Sequence, residues 1–494
     1  MIFPPQPSTL HPFMNRRTFL KNSLLATASL AAAPAWTAVS QSRVVGANSD
    51  LRVAVVGFGG RGRDHIKSFR QLPGCRIAAL CEVDRTILDR ELHKAKEQGE
   101  DVQGFTDLRA LLEFAPVDIV SLATPNHWHA LGAIWAVQAG KDVYVEKPIS
   151  HNVFEGRQLV AAAAKYQRIV QTGMQCRSSA GLREAIAWVR AGNLGAIRRA
   201  RGLCYKRRAS IGLTLENQPI PSGVDYDLWL GPAPMKPLRR ARLRYDWHWV
   251  WDTGNGDLGN QGVHQVDIAR WVLGYQQLSP RVLSIGGRLG YEDDGETPNT
   301  QLIFHDYAPA PLLFEVRGLP ERPESKQMDK YRGASIGVVV DCEGGSVVIP
   351  SYAQALVYDT EGREIRKFEG GGNHYANFVE AVRSRNTAHL HADAREGHLS
   401  AALCHTANVS YRLGRPQSPD ALRHAVRHNP EMTEMLARME EHLRINQVDL
   451  TATPARLGAL LRMNPKREEF TGNRAAKALL TREYRAPFVV PKKV

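Results

Sequence analysis

Residues 51–56 form a short apolar run rich in β-branched side chains, followed by glycines and then by 63–71, which has helical character. A second apolar run occupies 76–81, and two more of the buried type stand at 118–123 and 142–145, with a helix over 130–139 between them. Apolar strands that alternate with helices predict a parallel sheet joined by right-handed crossovers. Past about residue 173 the pattern changes. Runs at 198–205, 281–289, 300–304, 312–316 and 336–348 read as strands joined by turns, and helices are expected at 182–191, 263–272 and 375–384. Strands that succeed strands predict an α+β domain whose mostly antiparallel open sheet has one helix-covered face. No repeat period is visible. From about 416 the chain reads as helical and charged, then ends in a proline-containing run at 486–491.

Gly57-Phe58-Gly59-Gly60-Arg61-Gly62 directly follows the first strand and opens the first helix. Glycines there permit a tight turn and let pyrophosphate approach bare backbone, while the helix N-terminus offers free N–H groups. Glu82 stands 82 − 62 = 20 positions past the last glycine, at the end of the second strand, where a carboxylate can accept from ribose hydroxyls. The first half therefore reads as an α/β dinucleotide-binding (Rossmann) domain. A carboxylate at Glu82 repels a 2′-phosphate, so NAD is expected over NADP. Arg61 and Arg85 lie close enough in sequence to offset that preference and leave NADP open. The expected division is a leader at 1–48, the Rossmann domain at 49–173, the α+β substrate domain at 174–415 and a helical extension at 416–494.

The bulk composition changes this picture little. A chain of 494 residues exceeds the usual single-core size, and its 43% hydrophobic and 23% charged content is that of a globular protein. The net charge of +14 raises a polyanion as partner, but the basic residues are dispersed among acids rather than gathered on one helix, so no nucleic acid is expected. The six cysteines match neither a metal-finger spacing nor a dense disulfide framework.

The N-terminus does add something. Arg16-Arg17-Thr18-Phe19-Leu20-Lys21 precedes an apolar, alanine-rich run at 24–33 with small residues at Ala33 and Ala35, which resembles a twin-arginine export signal. The run is about half the ~20 residues a membrane span requires. A periplasmic or otherwise exported protein with no stable membrane span is expected, with Met14 as a candidate start.

Three further clusters fall where an α/β fold places its site, at the carboxyl ends of strands. They are Ala123-Thr124-Pro125-Asn126-His127-Trp128-His129, Glu146-Lys147-Pro148, and Gly259-Asn260-Gln261-Gly262-Val263-His264-Gln265-Val266-Asp267. On these motifs the stretch from Leu51 to about Arg415 resembles the Gfo/Idh/MocA family, which includes glucose-fructose oxidoreductase and inositol dehydrogenase. The resemblance implies that Lys147 is the catalytic lysine and His264 the catalytic histidine, beside a nicotinamide. It implies an aspartate four residues before the histidine. This chain has Asn260 there, an amide that can position a hydroxyl but cannot take up a proton. Asp257 and Asp267 are nearby candidates to substitute for it.

Cofactor contacts are expected from Gly57, Phe58, Gly59, Gly60, Arg61, Gly62, Glu82, Thr124, Pro125, Asn126, His129, Glu146 and Lys147. Substrate contacts are expected from His127, Gln175, Arg177, His248, Asn260 and His264. No metal is expected, because the His127/His129 pair lacks further ligands at confirming spacing. The aromatic stretch 245–252 offers indole faces for sugar C–H groups, with His248, Asp246 and Asp252 for hydroxyls, or else is a packed loop. The expected activity is NAD(P)-dependent oxidation of a CH–OH group of a sugar, polyol or glycoside. Free NAD is scarce outside the cytoplasm, so an exported enzyme of this kind is expected to hold its cofactor tightly and turn over redox-neutrally. The alternative is a non-catalytic sugar-responsive protein that kept the fold. A homo-oligomer, dimer or tetramer, is what the resemblance implies.

Overall fold

The computed structural model describes residues 50–494, so the leader at 1–48 and its twin-arginine reading lie outside the described residues. The first half is one parallel sheet of β1 (Leu51–Val56), β2 (Cys75–Cys81), β3 (Gln103–Phe105), β4 (Ile119–Leu122), β5 (Asp142–Val145) and β6 (Val170–Thr172), in the order 3-2-1-4-5-6. Helices α1 (Gly62–Arg70), α2 (Arg85–Glu97), α3 (Leu108–Phe114), α4 (Asn126–Gln138) and α5 (Val153–Tyr166) make the crossovers. Every residue of β4 and β5 is buried, which is why both read as unbroken apolar runs. The strand order reverses between β1 and β4, and their carboxyl ends flank the crevice where this fold binds ligands.

The second half begins with α6 (Ala180–Arg190), β7 (Ile197–Tyr205), α7 (Tyr226–Leu230) and α8 (Val263–Leu273). Strands β8 (Arg281–Gly287), β9 (Thr300–His305), β10 (Leu312–Arg317), β11 (Ile336–Cys342), β12 (Gly345–Ile349), β13 (Gln354–Tyr358) and β14 (Glu364–Glu369) follow, then α9 (His374–Ser384) and α10 (Ala394–Arg412). The strands run in the order 14-13-12-11-7-10-9-8, and among these neighbours only β7 and β10 are parallel. The expected single strand at 336–348 is thus a hairpin. Gly345, with φ at +144° and an added Cβ only 2.0 Å from the Tyr358 oxygen, fits only as glycine at that turn.

One face of this sheet packs Ala200, Cys204, Phe314 and Val338 against apolar residues of α6, α8 and α10. The other face is covered over β8–β10 by α11 (Pro419–Val426) and α12 (Pro430–Ile445), whose Leu422, Met432, Met435 and Leu436 meet Ile285, Leu302 and Leu313. Both helices start with a capping residue, Ser418 or Asn429, followed by proline. Beyond these two helices the tail is mostly extended, with one short further helix at Arg474–Ala478. It then supplies β16 (Arg456–Leu457) and β17 (Leu461–Asn464) to β8, β16 also pairing with β15 (Arg415–Pro416) and β17 with β18 (Glu469–Thr471).

Later segments also pack on the first half: Tyr375 and Phe378 of α9 meet Phe69 and Tyr144, and Phe488 meets Trp128. None of the cysteines is in a disulfide, and among the described residues no helix is long and apolar enough to cross a membrane.

Because α12 is part of the core, Leu436→Ala should cost about 2–5 kcal/mol in urea unfolding, whereas Ile445→Ala at its exposed end should stay within about 0.5 kcal/mol. Equal, negligible effects would mean that the tail is an appendage.

Candidate functional site

A cleft of about 590 Å³ opens at the carboxyl ends of β1, β2, β4 and β5. It is floored by Gly57, Gly59, Gly60 and Arg61, a volume and setting usual for a ligand pocket. Gly57 has φ at +76°, and a Cβ on Gly62 would lie 2.1 Å from the Gly57 oxygen, so both positions demand glycine. Nothing stands within 4 Å of where a Cβ on Gly60 would be, which leaves bare backbone facing the cleft. Glu82 is buried beside this loop and accepts from the Phe58 N–H at 2.8 Å and the Asp84 N–H at 3.2 Å. Burial pushes its carboxyl above the ordinary range, and the two N–H donors pull the other way. The loop, the start of α1 and a carboxylate at the end of β2 fit a dinucleotide. The Phe58 side chain itself is core.

Of the two cations that could offset Glu82, Arg61 is tied to Glu146 at 3.2 Å and Asp64 at 2.8 Å, and Arg85 does not line the cleft. Arg244 does line it, paired with Asp84.

The other end of the cleft gathers Glu146, Lys147, Gln175, His248, Asn260 and His264. Lys147, two residues past β5 and joined to Pro148 by a cis peptide bond, donates from Nζ to the Asn260 main-chain oxygen at 3.1 Å and to Asn260 Oδ1 at 3.4 Å. Asn260 sits in a π-turn, Leu258–Gly262, directly before α8, a distortion common at functional sites. Burial lowers the Lys147 ammonium below its ordinary value, opposed by the charge of Glu146. His264 is pushed down to about 3 by burial and by Lys147, so it stays neutral, and its buried Nδ1 has no protein partner. Glu146 accepts from His65 Nε2 at 3.1 Å while His65 Nδ1 meets Ser121 Oγ at 2.8 Å, a relay that no motif announced.

A segment of the second half walls the cleft on the Glu82 side. Arg85 N–H donates to Gly223 O at 3.0 Å, Asp84 pairs with Val224, and Trp128 Nε1 donates to Leu228 O at 3.1 Å. Val224, Leu228, Trp229, Leu243, Arg244 and Trp247 line that wall. Nothing in the local sequence marked this loop, since its pairing partners are far away in the chain.

Some expected contacts stand elsewhere. His127 is fully buried, with its ring nitrogens on Trp229 O at 3.0 Å and Thr253 O at 3.3 Å, and it does not line the cleft. His129 does, bonded to Thr124 O and Pro148 O. On a helix, Asn126 and His129 share a face that His127 leaves. Arg177 is likewise directed away from Gln175 and forms a buried bidentate pair with Asp267. Asp257 is held by Arg208 at 2.7 and 2.9 Å, so neither aspartate takes the place expected of residue 260. In the aromatic stretch, Tyr245, Trp247 and His248 line the cleft, whereas Asp246 pairs with Arg242 and Asp252 with Lys236. Among the described residues no group of three or more His, Cys, Asp or Glu could hold a metal ion.

Residues 51–174 match an oxidoreductase family described by its NAD-binding Rossmann fold, and residues 191–304 match that family's C-terminal alpha/beta domain. A glycosyl hydrolase family 109 protein of Shewanella pealeana is 34% identical over 176 residues, 31% of this chain and 38% of the relative. One from Shewanella putrefaciens is 36% identical over 123 residues, 24% of this chain and 27% of the relative. The chain thus spans well under half the length of these curated relatives.

Among solved structures, the WlbA dehydrogenase of Bordetella pertussis, in complex with NADH and UDP-GlcNAcA, superposes with a TM-score of 0.51 at 20% identity over 72% of this chain and 94% of that one. An oxidoreductase domain protein of Kribbella flavida reaches 0.54 at 19% identity, over 73% and 96%. With the NAD-binding model matched over 51–174 and its C-terminal domain over 191–304, these segments belong to the Gfo/Idh/MocA family of oxidoreductases, and the cofactor is NAD.

Proposed function

We propose that the protein oxidises a CH–OH group of a sugar or glycoside in this cleft and turns over redox-neutrally, cleaving a glycosidic bond. The observation that carries the reading is the meeting of Lys147, from the end of β5, with Asn260 and His264 of the second half, in the cleft that the glycine loop and Glu82 also line. NAD held there supplies a hydride acceptor. Lys147 as the neutral amine takes the hydroxyl proton, with Asn260 fixing the position of Nζ. His264, neutral, hydrogen-bonds the same or a neighbouring hydroxyl. Oxidation at one carbon acidifies the adjacent C–H, which permits loss of the glycosidic oxygen; water then adds and the carbonyl is reduced again. The glycosyl hydrolase relatives support cleavage rather than net dehydrogenation.

The wall formed around 223–247 supports tight retention of NAD. We further propose that the protein is exported, loaded with NAD beforehand. Mass spectrometry of the purified, denatured protein should find about one NAD per chain, and cofactor-free protein that exchanges NAD freely with solution would contradict this.

Incubation with 4-nitrophenyl glycosides in D2O should place deuterium on the sugar carbon next to the oxidised one, with NADH absorbance at 340 nm never exceeding one equivalent. NADH accumulating in step with product would instead identify a net dehydrogenase. Lys147→Ala should lose about 10²–10⁴-fold in kcat while still binding NAD, the range for a general base. A variant that kept full activity would remove Lys147 from the chemistry, and wild-type protein that bound sugar without any turnover would favour the sugar-responsive binder that Asn260 leaves room for.

The active form of Lys147 is the free base, so kcat/KM should rise with pH through its titration. Because burial lowers that pKa, the rise should come below the ordinary lysine value of about 10.4. A profile flat from neutral to alkaline pH, or one unchanged in Lys147→Ala, would exclude the assignment.

A further inference from the structure

The chemical end of the cleft holds a cation without a carboxylate of its own. Four cationic side chains line it: Arg61, Lys147, Lys206 and Arg208. Two have carboxylates of their own, Arg61 with Glu146 and Asp64, and Arg208 with Asp257. The other two reach only amide and carbonyl oxygens of the π-turn. Lys147 Nζ donates to Asn260, and Lys206 Nζ donates to Gln261 Oε1 at 2.9 Å. Gln261 is held in turn by Tyr352, whose hydroxyl lies 2.7 Å from its amide nitrogen. Lys206 therefore projects from the end of β7 into the same wall as Lys147 and His264, half-buried and with no ion pair among the described residues. Residue 260, the one position on that turn facing Lys147 where a carboxylate would supply a counter-charge, is an amide.

A half-buried ammonium such as Lys206, hydrogen-bonded only to an amide oxygen, is under-compensated in a low-dielectric cleft. The counter-charge can come from the ligand. It is not the cofactor's pyrophosphate, whose place is the glycine loop at the start of α1, whereas Lys206 contacts the π-turn at the opposite end.

We propose that the sugar bound in this cleft carries an anionic oxygen group, a carboxylate or an ester sulfate or phosphate, and that Lys206 receives it. This rests on the sugar reading above and narrows its substrate class. Lys206 is a specificity residue here. A compact ammonium on a flexible stem suits a single anionic group whose distance from the reacting carbon varies between substrates.

The test is calorimetric titration of the NAD-loaded protein with matched pairs, glucose against glucuronate and galactose against galacturonate, with glucose 6-sulfate and glucose 6-phosphate as separate arms. Uronates should bind at least tenfold more tightly than their neutral partners if the group is a carboxylate, and the sulfate or phosphate arm should show that advantage if it is an ester. The advantage should shrink as salt rises. Lys206→Met should remove about 10- to 100-fold from the anionic member alone, the scale of a hydrogen bond to a charged group. Asn260→Asp, which adds a carboxylate at the π-turn without touching Lys206, should reduce the same preference.

If Lys206 only anchors Gln261, Lys206→Met weakens both members equally, and the proposal fails. It fails also if neutral sugars bind or turn over as well as anionic ones, an outcome that leaves the oxidoreductase reading intact. Selective anion binding that needs Lys206 but gives no turnover would uphold this proposal and sink that reading. If no sugar of either kind binds, both fall.

Discussion

Glu146 lies buried at the carboxyl end of β5, where burial by itself would push its carboxyl up, yet the His65 hydrogen bond and the charges of Lys147 and Arg61 hold it well below the usual carboxylate range. That one ionised group ties three parts of the site together. His65 belongs to α1, so the helix that opens with the glycine loop is pinned to β5. Arg61 is drawn from the loop toward the chemical end of the cleft. The Lys147 N–H donates to Glu146 Oε2 at 3.2 Å, and the Glu146 charge opposes the effect of burial on the Lys147 ammonium. A buried carboxylate left without these partners would be strongly destabilising, so the glycine loop and Lys147 are set by a single electrostatic balance.

The second half completes the cleft in two different ways. At the chemical end it contributes a π-turn, which delivers Asn260 and Gln261 to Lys147 and Lys206 and leads into the helix bearing His264. At the Glu82 end it contributes the wall around 223–247, fastened to the rim of the Rossmann sheet through Asp84 and Arg85. The large sheet behind is clamped on both faces, by α6, α8 and α10 on one and by α11 and α12 on the other, which gives the π-turn a rigid support.

Much of this was legible in the chain itself. The runs that became β1, β2, β4 and β5 are buried on both faces, so their composition alone announced them, and the glycine loop with Glu82 located the cofactor crevice. What stayed hidden has identifiable causes. The helix at α2 reads Arg-Thr-Ile-Leu-Asp-Arg-Glu-Leu-His-Lys-Ala-Lys-Glu, with only a narrow apolar stripe, and β3 and β6 are three residues each. The hairpin at β11–β12 hides because two valine-rich runs are separated only by the short turn around Glu343, Gly344 and Gly345. At the site, neighbours in sequence are not always neighbours in space. His127 and Arg177 stand two residues from cleft-lining His129 and Gln175, and helical geometry turns each to another face. Asp84, Lys206 and Arg244 gain meaning only through long-range pairing.

The cleft fits a dinucleotide lying along the loop from Gly57 to Gly62 with its reactive ring turned toward Lys147 and His264. A crystal structure of the protein grown with saturating NAD tests this most directly. The pyrophosphate should rest on Gly59 and Gly60, a ribose on Glu82, and the nicotinamide beside Lys147 Nζ. A nucleotide seated elsewhere, or a ring facing away from Lys147, would contradict the account.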